Sequence, residues 1–524
     1  MAKSRKEQIK ELLANPSKLK SKKPFTRGAE RSRMLPRLSS NTSGIGEMVE
    51  ANAPRIRRYI VPQEQFLREL DPACHDVLFN ENLPSICVKI ADNDYREIVF
   101  DRVALPIQRL VKDVQVIYLT AHKMQHTLID LEPTDKQQES FVTYKQYWDE
   151  RNQDGMKNKM VDAQKSMGDA GLLYYFDHKG RIKSRLLKFD DGYVLCPHND
   201  ENGDRILDSV YYVQTEFVDG EERVVEYIDS YDDEFMYRMT RNLWENSDDL
   251  GWEVHEPIRH GFEESPLITK RGPVAWNDIP TLINTYEEQY NIFQAIQRRF
   301  GWGILYIKGK FKDTAKKIAG NVVLNDTTPQ GDGDAKFLAP PSPEGMIETL
   351  KELLKSMMLG SSTTFILPDD IKISGDVSGL AVQLTKELDI LNAEQSVIEW
   401  QNVADKMTRL FKFGLAKELV NTGVNLTAIT DFADLHISSK FKVWRPFNEY
   451  EFNQMIATLK GADIISQETA IEMNTISKPD EKLRVKKEAE EAERKQLEAQ
   501  EQQLQMTAKY SDKEESANGN KEEK

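Results

Sequence analysis

Chemistry in this sequence would have to come from a handful of places. Ser361–Leu384, SSTTFILPDDIKISGDVSGLAVQL, sets Ser and Gly just ahead of an apolar-periodic run, the outline of many phosphate-binding loops. HEPIRH (His255–His260) offers two histidines, but they stand five apart with Pro257 between them and do not share a helical face. CPH (Cys196–His198) is equally isolated, and neither stretch has a metal-ligand spacing. The paired acids Asp190–Asp191 and Asp369–Asp370 lie in turn contexts, and an acidic chain yields such pairs by chance. HExxH, GxSxG, CxxC and the GxxxxGK-Ser/Thr loop are all missing. No such loop supplies the lysine that an NTPase places on the β- and γ-phosphates. Eight histidines in 524 residues leave few general bases. The chain reads as a non-enzyme with no catalytic residues, no cofactor and no metal.

The elements around these residues decide what they are for. Ser378 is a good N-cap, and Gly375 and Gly379 allow a sharp turn into the helix behind it. Caps are far commoner than anion sites, so the stretch is read as the start of a long helical pattern running to about Val420. Leu380, Leu384, Leu388, Leu391 and Ile398 lie on one stripe of it, with Met407, Leu410 and Phe411 further on. At that length the helix is expected to bend or to span the whole body. Upstream, Ala275–Phe300 is a long amphipathic helix with Asn277 or Asp278 as cap and Pro280 in its first turn. Pro341–Met358 is its counterpart, with Ser342 as cap and Pro343 at the first position. Between the two, GILYIKG, VVLND and a Gly/Asp turn predict a small β-containing insertion that carries Lys308, Lys310, Lys312, Lys316 and Lys317.

Helical stretches are expected at Val103–Met124 and Glu139–Met167. From Gly171 to His255 short aromatic and β-branched runs alternate with DHKG, DDG, ENG and VDGE, which predicts an antiparallel meander. Near the end come a strand at Leu435–Trp444, a helix at Glu449–Lys460, a Ser466-capped helical turn and a charged tail. The fold class is therefore α+β.

Composition bounds the rest. A chain of 524 residues holds more than one substructure at about 150 residues each. No run approaches the roughly 18 apolar residues of a membrane span, and MAKSRKEQIKELL lacks the apolar core of a secretory signal. Cys74, Cys87 and Cys196 are too scattered for a disulfide framework, which fits a reducing compartment. A net charge of −15 argues against a sequence-specific DNA binder. Residues 1–33 hold eleven Lys/Arg against three Asp/Glu, leaving about −23 for the remainder, so a basic arm, residues 1–55, precedes an acidic body.

The order of these elements resembles the portal proteins of tailed double-stranded DNA bacteriophages. The likeness runs from about Gly171 to Glu493. It includes LAVQLTKELDILNAEQSVIEWQNVADKMTRLFKF, the strand and Arg-x-x-Asn turn of FKVWRPFNEYEF, and GADIISQETAIEMNTISKPDEKLRVKKEAEEAE. It implies a portal-like protomer: a mixed wing at 56–277, stem helices at 278–302 and 342–358, and a clip at 303–341. A channel loop at 359–378, a long helix and return wing strand at 379–445, crown helices at 446–500 and a disordered tail at 501–524 would follow. It implies a self-assembled ring, typically of twelve, at one capsid vertex, the head–tail connector through which double-stranded DNA enters and leaves. Partners would be the terminase large subunit and later a head–tail adaptor, with capsid and scaffolding proteins around the ring and no membrane. The ring would assemble in the host cytoplasm and end in the virion. On this resemblance Thr363, Asp369, Asp370 and Lys372 belong to the channel loop and the five clip lysines to the docking surface. A helix break near Asp389–Asn392 is the other place for that loop. The rival readings are another phage head or adaptor protein and a packaging nuclease or ATPase.

Overall fold

The computed structural model describes residues 5–14, 25–26, 60–61, 63–83, 85–91, 94–99, 101–130, 132–199, 202, 204–218, 221–242, 252–300, 304–308, 322–326, 334–338, 342–364, 386–445, 449–474 and short pieces between 484 and 495. The chain divides into two units, Met1–Asp370 with Glu387–Trp444, and Ile371–Lys386 with Arg445–Lys524.

The first unit opens with α1 (Arg5–Leu13), β1 (Phe25–Thr26), β2 (Ile60–Val61) and α2 (Gln63–Leu70), followed by 3-10 turns at Pro72–Cys74 and Asp76–Leu78. A hairpin of β3 (Ser85–Ala91) and β4 (Asp94–Val99) leads to α3 (Ile107–Thr120) and β5 (Gln125–Leu128). Where one helical stretch was expected to end at Met167 there are two helices, α4 (Asp135–Glu150) and α5 (Gln153–Met167). Asn152 divides them: it takes a left-handed conformation at φ 49° and its side chain accepts the Gly155 N–H, which caps α5. Thr134 and Gln137 close a capping box on α4.

The expected meander is antiparallel but its strands belong to two sheets. β6 (Asp169–Phe176) and β7 (Ile182–Leu187) form a hairpin. β8 (Val194–Asn199), β9 (Arg205–Val218), β10 (Glu221–Tyr231), β11 (Phe235–Asn242), β12 (Glu253–Val254) and β13 (Ile258–Arg259) make a six-stranded sheet. β14 (Leu267–Arg271) pairs with β6 and draws the hairpin into a separate sheet of order β14-β6-β7. Leu187, Leu195, Val210, Tyr231 and Leu267 form the apolar cluster between the two sheets. On another cluster Ile9 of α1 packs with Leu207, Ile228 and Met239. Part of the expected basic arm is therefore a docked helix.

α6 (Pro280–Phe300) and α7 (Glu344–Ser361) are the two helices that flank the insertion, and the second runs a turn beyond the expected Met358. The insertion holds β15 (Ile304–Lys308), β16 (Val322–Asp326) and β17 (Asp334–Leu338), with β15 central, parallel to β16 and antiparallel to β17.

α8 (Glu387–Asn421) is the axis of the main core and is continuous across Asp389–Asn392. At 35 residues it is about 52 Å long. Of the stripe read from the sequence, Leu388 is 42%, Leu391 54% and Ile398 77% exposed. Asp389, Ala393, Ser396, Trp400, Ala404 and Met407 are buried instead. Smaller side chains let α8 lie close to its neighbours, with Trp400, Phe411, Trp148 and Tyr144 filling the wider gaps. α9 (Ala428–Ala433) and β18 (Ile437–Lys440) follow, and β18 pairs with β5 across 300 residues of sequence. The strand expected over Leu435–Trp444 is thus four residues long.

In the second unit α10 (Glu449–Gly461) and α11 (Gln467–Met473) are described, and the Ser466 side chain accepts the Thr469 N–H as N-cap of α11.

Candidate functional site: the helix roots and the loop anchor

The root of α6 is fixed by polar groups inside an apolar cluster. Phe66, Val111, Trp276, Ile279, Ile283 and Met357 bring α2, α3, α6 and α7 together. Within this setting Glu287 is 1% and His75 5% exposed. Glu287 Oε1 accepts the Leu105 N–H at 2.7 Å and lies 2.8 Å from His75 Nδ1. His75 Nε2 is 2.9 Å from the Glu69 carbonyl, which can only accept. Nε2 therefore donates, and the Glu287 carboxyl beside Nδ1 favours the protonated ring. Burial pushes its pKa down, but the hydrogen bond and charge of Glu287 outweigh that, and the net direction is up. One turn along α6, Asn291 accepts the Val103 N–H and donates to the Val103 carbonyl, both at 2.8 Å. Trp276 Nε1 donates to Glu69 Oε2 at 2.7 Å. The helix is stapled at its base.

A second polar junction lies where α7 ends and α8 begins. Ser362 leaves α7 in a left-handed conformation at φ 50°. Thr363 is fully buried, its hydroxyl accepting from Gln115 Nε2 and donating to the Ser361 carbonyl, each at 3.1 Å. Gln115 also reaches the Ser361 carbonyl at 3.1 Å. Asp389, in the first turn of α8, accepts the Thr364 N–H on Oδ1 at 2.8 Å and the Thr364 hydroxyl on Oδ2. Tyr118 donates to the same carboxylate at 3.5 Å, and burial together with Asp389 raises its phenol well above the ordinary value. One carboxylate thus ties the last described residue before 365 to the first turn after 386. Charge-assisted bonds of this kind are among the stronger ones in a protein.

Of the channel-loop residues expected from the sequence, Thr363 is in this buried junction. Asp369, Asp370 and Lys372 lie outside the described residues, as does the expected cap at Ser378. Lys308 ends β15, in register with Asp326 of β16 and Asp334 of β17. Lys310, Lys312, Lys316 and Lys317 lie outside the described residues. Asp389 and Thr364 had no part in the sequence reading beyond the helix-break alternative. The available signal was an acid at the start of a helix whose i+4 and i+7 neighbours are Ala393 and Ser396, a face small enough to be covered.

The other candidates have structural tasks. His255 bonds to Thr240, and His260 donates from Nε2 to the Asp232 carbonyl while Nδ1 accepts the Phe262 N–H. Asp190 and Asp191 pair with Lys188. Among the described residues no group of three or more His, Cys, Asp or Glu side chains is arranged to hold a metal ion, and no helix is long and apolar enough to cross a membrane.

The chain is a mixed helix and sheet protein in which two rooted helices bracket a small β insertion beside one long core helix. The family described as phage portal protein, SPP1 Gp6-like, matches residues 58–504, most of the chain. The chain belongs to that family. No curated protein matches it significantly.

Proposed function

We propose that this chain forms the ring-shaped conduit at one capsid vertex for genome packaging and ejection, docking the terminase motor and later the head–tail adaptor. The family match over residues 58–504 carries the reading. In it the wing is 56–277 with the strand near 437, the stem is α6 and α7, the clip is the β15–β17 insertion, and α10 and α11 belong to the crown. The channel loop is the segment between α7 and α8. The continuous helix across Asp389–Asn392, and the buried position of Asp389, favour this place for the loop over a break in α8. An apolar stripe exposed on the longest helix of the protomer supports heterologous self-association, since such contacts close into rings. Its acidic body suits a conduit that must pass DNA without gripping it, because phosphate contacts dominate non-specific affinity.

The test is the particle formed by the purified full-length chain. Electron micrographs and native mass measurement should give closed rings of a single size class near twelve copies. Only monomers or dimers at every salt concentration would overturn the proposal.

A further inference from the structure

Residues 178–189, HKGRIKSRLLKF, carry Lys179, Arg181, Lys183, Arg185 and Lys188 and no acid, in a chain of net charge −15. They cover the turn of the β6–β7 hairpin and all of β7. Asp177 closes that turn: its carboxylate accepts the N–H groups of Lys179 at 2.8 Å and Arg181 at 2.9 Å, with Gly180 at φ 70°. Those backbone bonds hold the Asp177 carboxyl below its usual range. The only acid of the turn is thereby engaged with the backbone, and it stands 3.7 Å from Lys183.

Alternation along the strand sorts the rest. Ile182 enters the core, while Arg181, Lys183 and Arg185 are exposed. Alternate residues on a strand are about 6.6 Å apart, so the three cations form a straight row of about 13 Å. Tyr175 of β6 is the register partner of Lys183 and is 40% exposed. Arg185 lies 5.0 Å over the Tyr193 ring and donates to its hydroxyl, which holds the guanidinium in place. Beside Tyr175 a cavity of about 610 Å³ is lined mostly by apolar and aromatic residues, with Arg259, paired with Glu234, and Lys417, bonded to the Gly261 carbonyl, at its wall.

We propose that this hairpin is a contact for the phosphate backbone of double-stranded DNA, separate from the channel loop. The occupant follows from charge complementarity, and the proposal rests on the reading of the chain as a DNA conduit. The row carries point charges and two aromatic rings, Tyr175 and Tyr193, but no cluster of exposed aliphatic anchors, which a protein partner would use as its centre. Nothing in it is arranged to read base edges, so the contact is independent of sequence. β7 is also an edge strand, and charge on an edge blocks unwanted strand pairing. Glutamate serves that purpose as well as lysine does, which lets the two roles be separated.

Fluorescence anisotropy of the full-length protein with a labelled 30-base-pair duplex would be read at several salt concentrations. Each phosphate neutralised contributes about 0.9 to the slope of log affinity against log salt. R181Q/K183Q should lower that slope by about 1.8, and R181E/K183E should weaken binding at low salt by at least tenfold. Unchanged affinity and slope in both variants, with thermal unfolding also unchanged, would overturn the proposal. So would labelled poly-glutamate binding more tightly than DNA in a manner lost in R181E/K183E, which would assign the hairpin to an acidic protein. Ring formation in the same samples is a separate readout: loss of DNA binding in intact rings supports the hairpin contact, and failure of the wild type to form rings sinks the conduit reading alone.

Discussion

A buried and a half-buried histidine, His75 and His126, give this protein opposite responses to pH. His75 is held by Glu287, whose hydrogen bond and charge outweigh burial and raise its pKa on folding. Its contribution to stability is complete below the unfolded value near 6.5 and is lost as pH rises through the folded value. His126 stands against Trp148 at 4.6 Å and Tyr144 at 5.3 Å, and burial lowers its pKa to about 4. Its contribution is present above about 6.5 and is lost as pH falls towards 4. Thermal unfolding scans from pH 4 to 9 should show the difference: H75Q loses the decline on the alkaline side of 6.5, and H126F loses part of the decline on the acid side. A parallel shift of either variant's whole profile, with no change of shape, would refute the assignment. Glu287→Ala removes the buried partner of both His75 and the Leu105 N–H and should cost about 3–5 kcal/mol.

At the scale of elements, the close seating of α8 makes a sharp prediction. A Cβ at Gly414 would stand 2.1 Å from Ile182 Cδ1 of β7. Helix propensity favours Ala over Gly by about 1 kcal/mol, but overpacking of a full core costs about 1–3 kcal/mol. G414A should therefore destabilise, and I182V in the G414A background should recover stability, because it deletes the clashing carbon; chemical denaturation of the single and double variants measures both. At the α7–α8 junction D389A leaves the Thr364 N–H and hydroxyl without their acceptor, at a cost of about 1–3 kcal/mol. The Thr364 amide should then exchange hydrogen faster while the α6 root keeps its protection. Periodicity had placed most of these elements, since α3, α6, α7 and α11 each carry their own caps or prolines. The sheet partition was not legible: β14, LITKR, is short and partly buried, and only its pairing with β6 shows which sheet owns the hairpin. Which face of α8 the core covers was not legible for a related reason. Leucines mark an apolar stripe wherever its partner lies, and this protomer covers the Ala393, Ser396 and Ala404 face instead. The basic row on β7 is written in the sequence as twelve residues without an acid, but only the strand alternation shows which of its cations share a face.

For the whole molecule, the conduit reading predicts separable defects at the two charged regions named from the sequence. D369K/D370K should form normal rings but slow DNA passage, an effect that fades as salt screens the new phosphate contacts. Reversal of Lys310, Lys312 and Lys316 to Glu should weaken motor docking in packaging extracts with ring size unchanged; wild-type packaging by both variants would remove these regions from the mechanism. The main core has a consequence of its own for synthesis. Trp148 packs on Phe411 with ring centroids 5.2 Å apart, and β5 pairs with β18. The part of that core on α4 and α5, with Tyr144, Trp148, Met160 and Val161, leaves the ribosome long before α8. At about 5–20 residues per second the nascent chain carries it uncovered for roughly 13–50 s. Non-local contacts of this span also make closure slow. Ribosome-stalled chains ending before residue 387 should thus remain protease-sensitive and chaperone-bound, so that a protomer cannot enter a ring before α8 has been made.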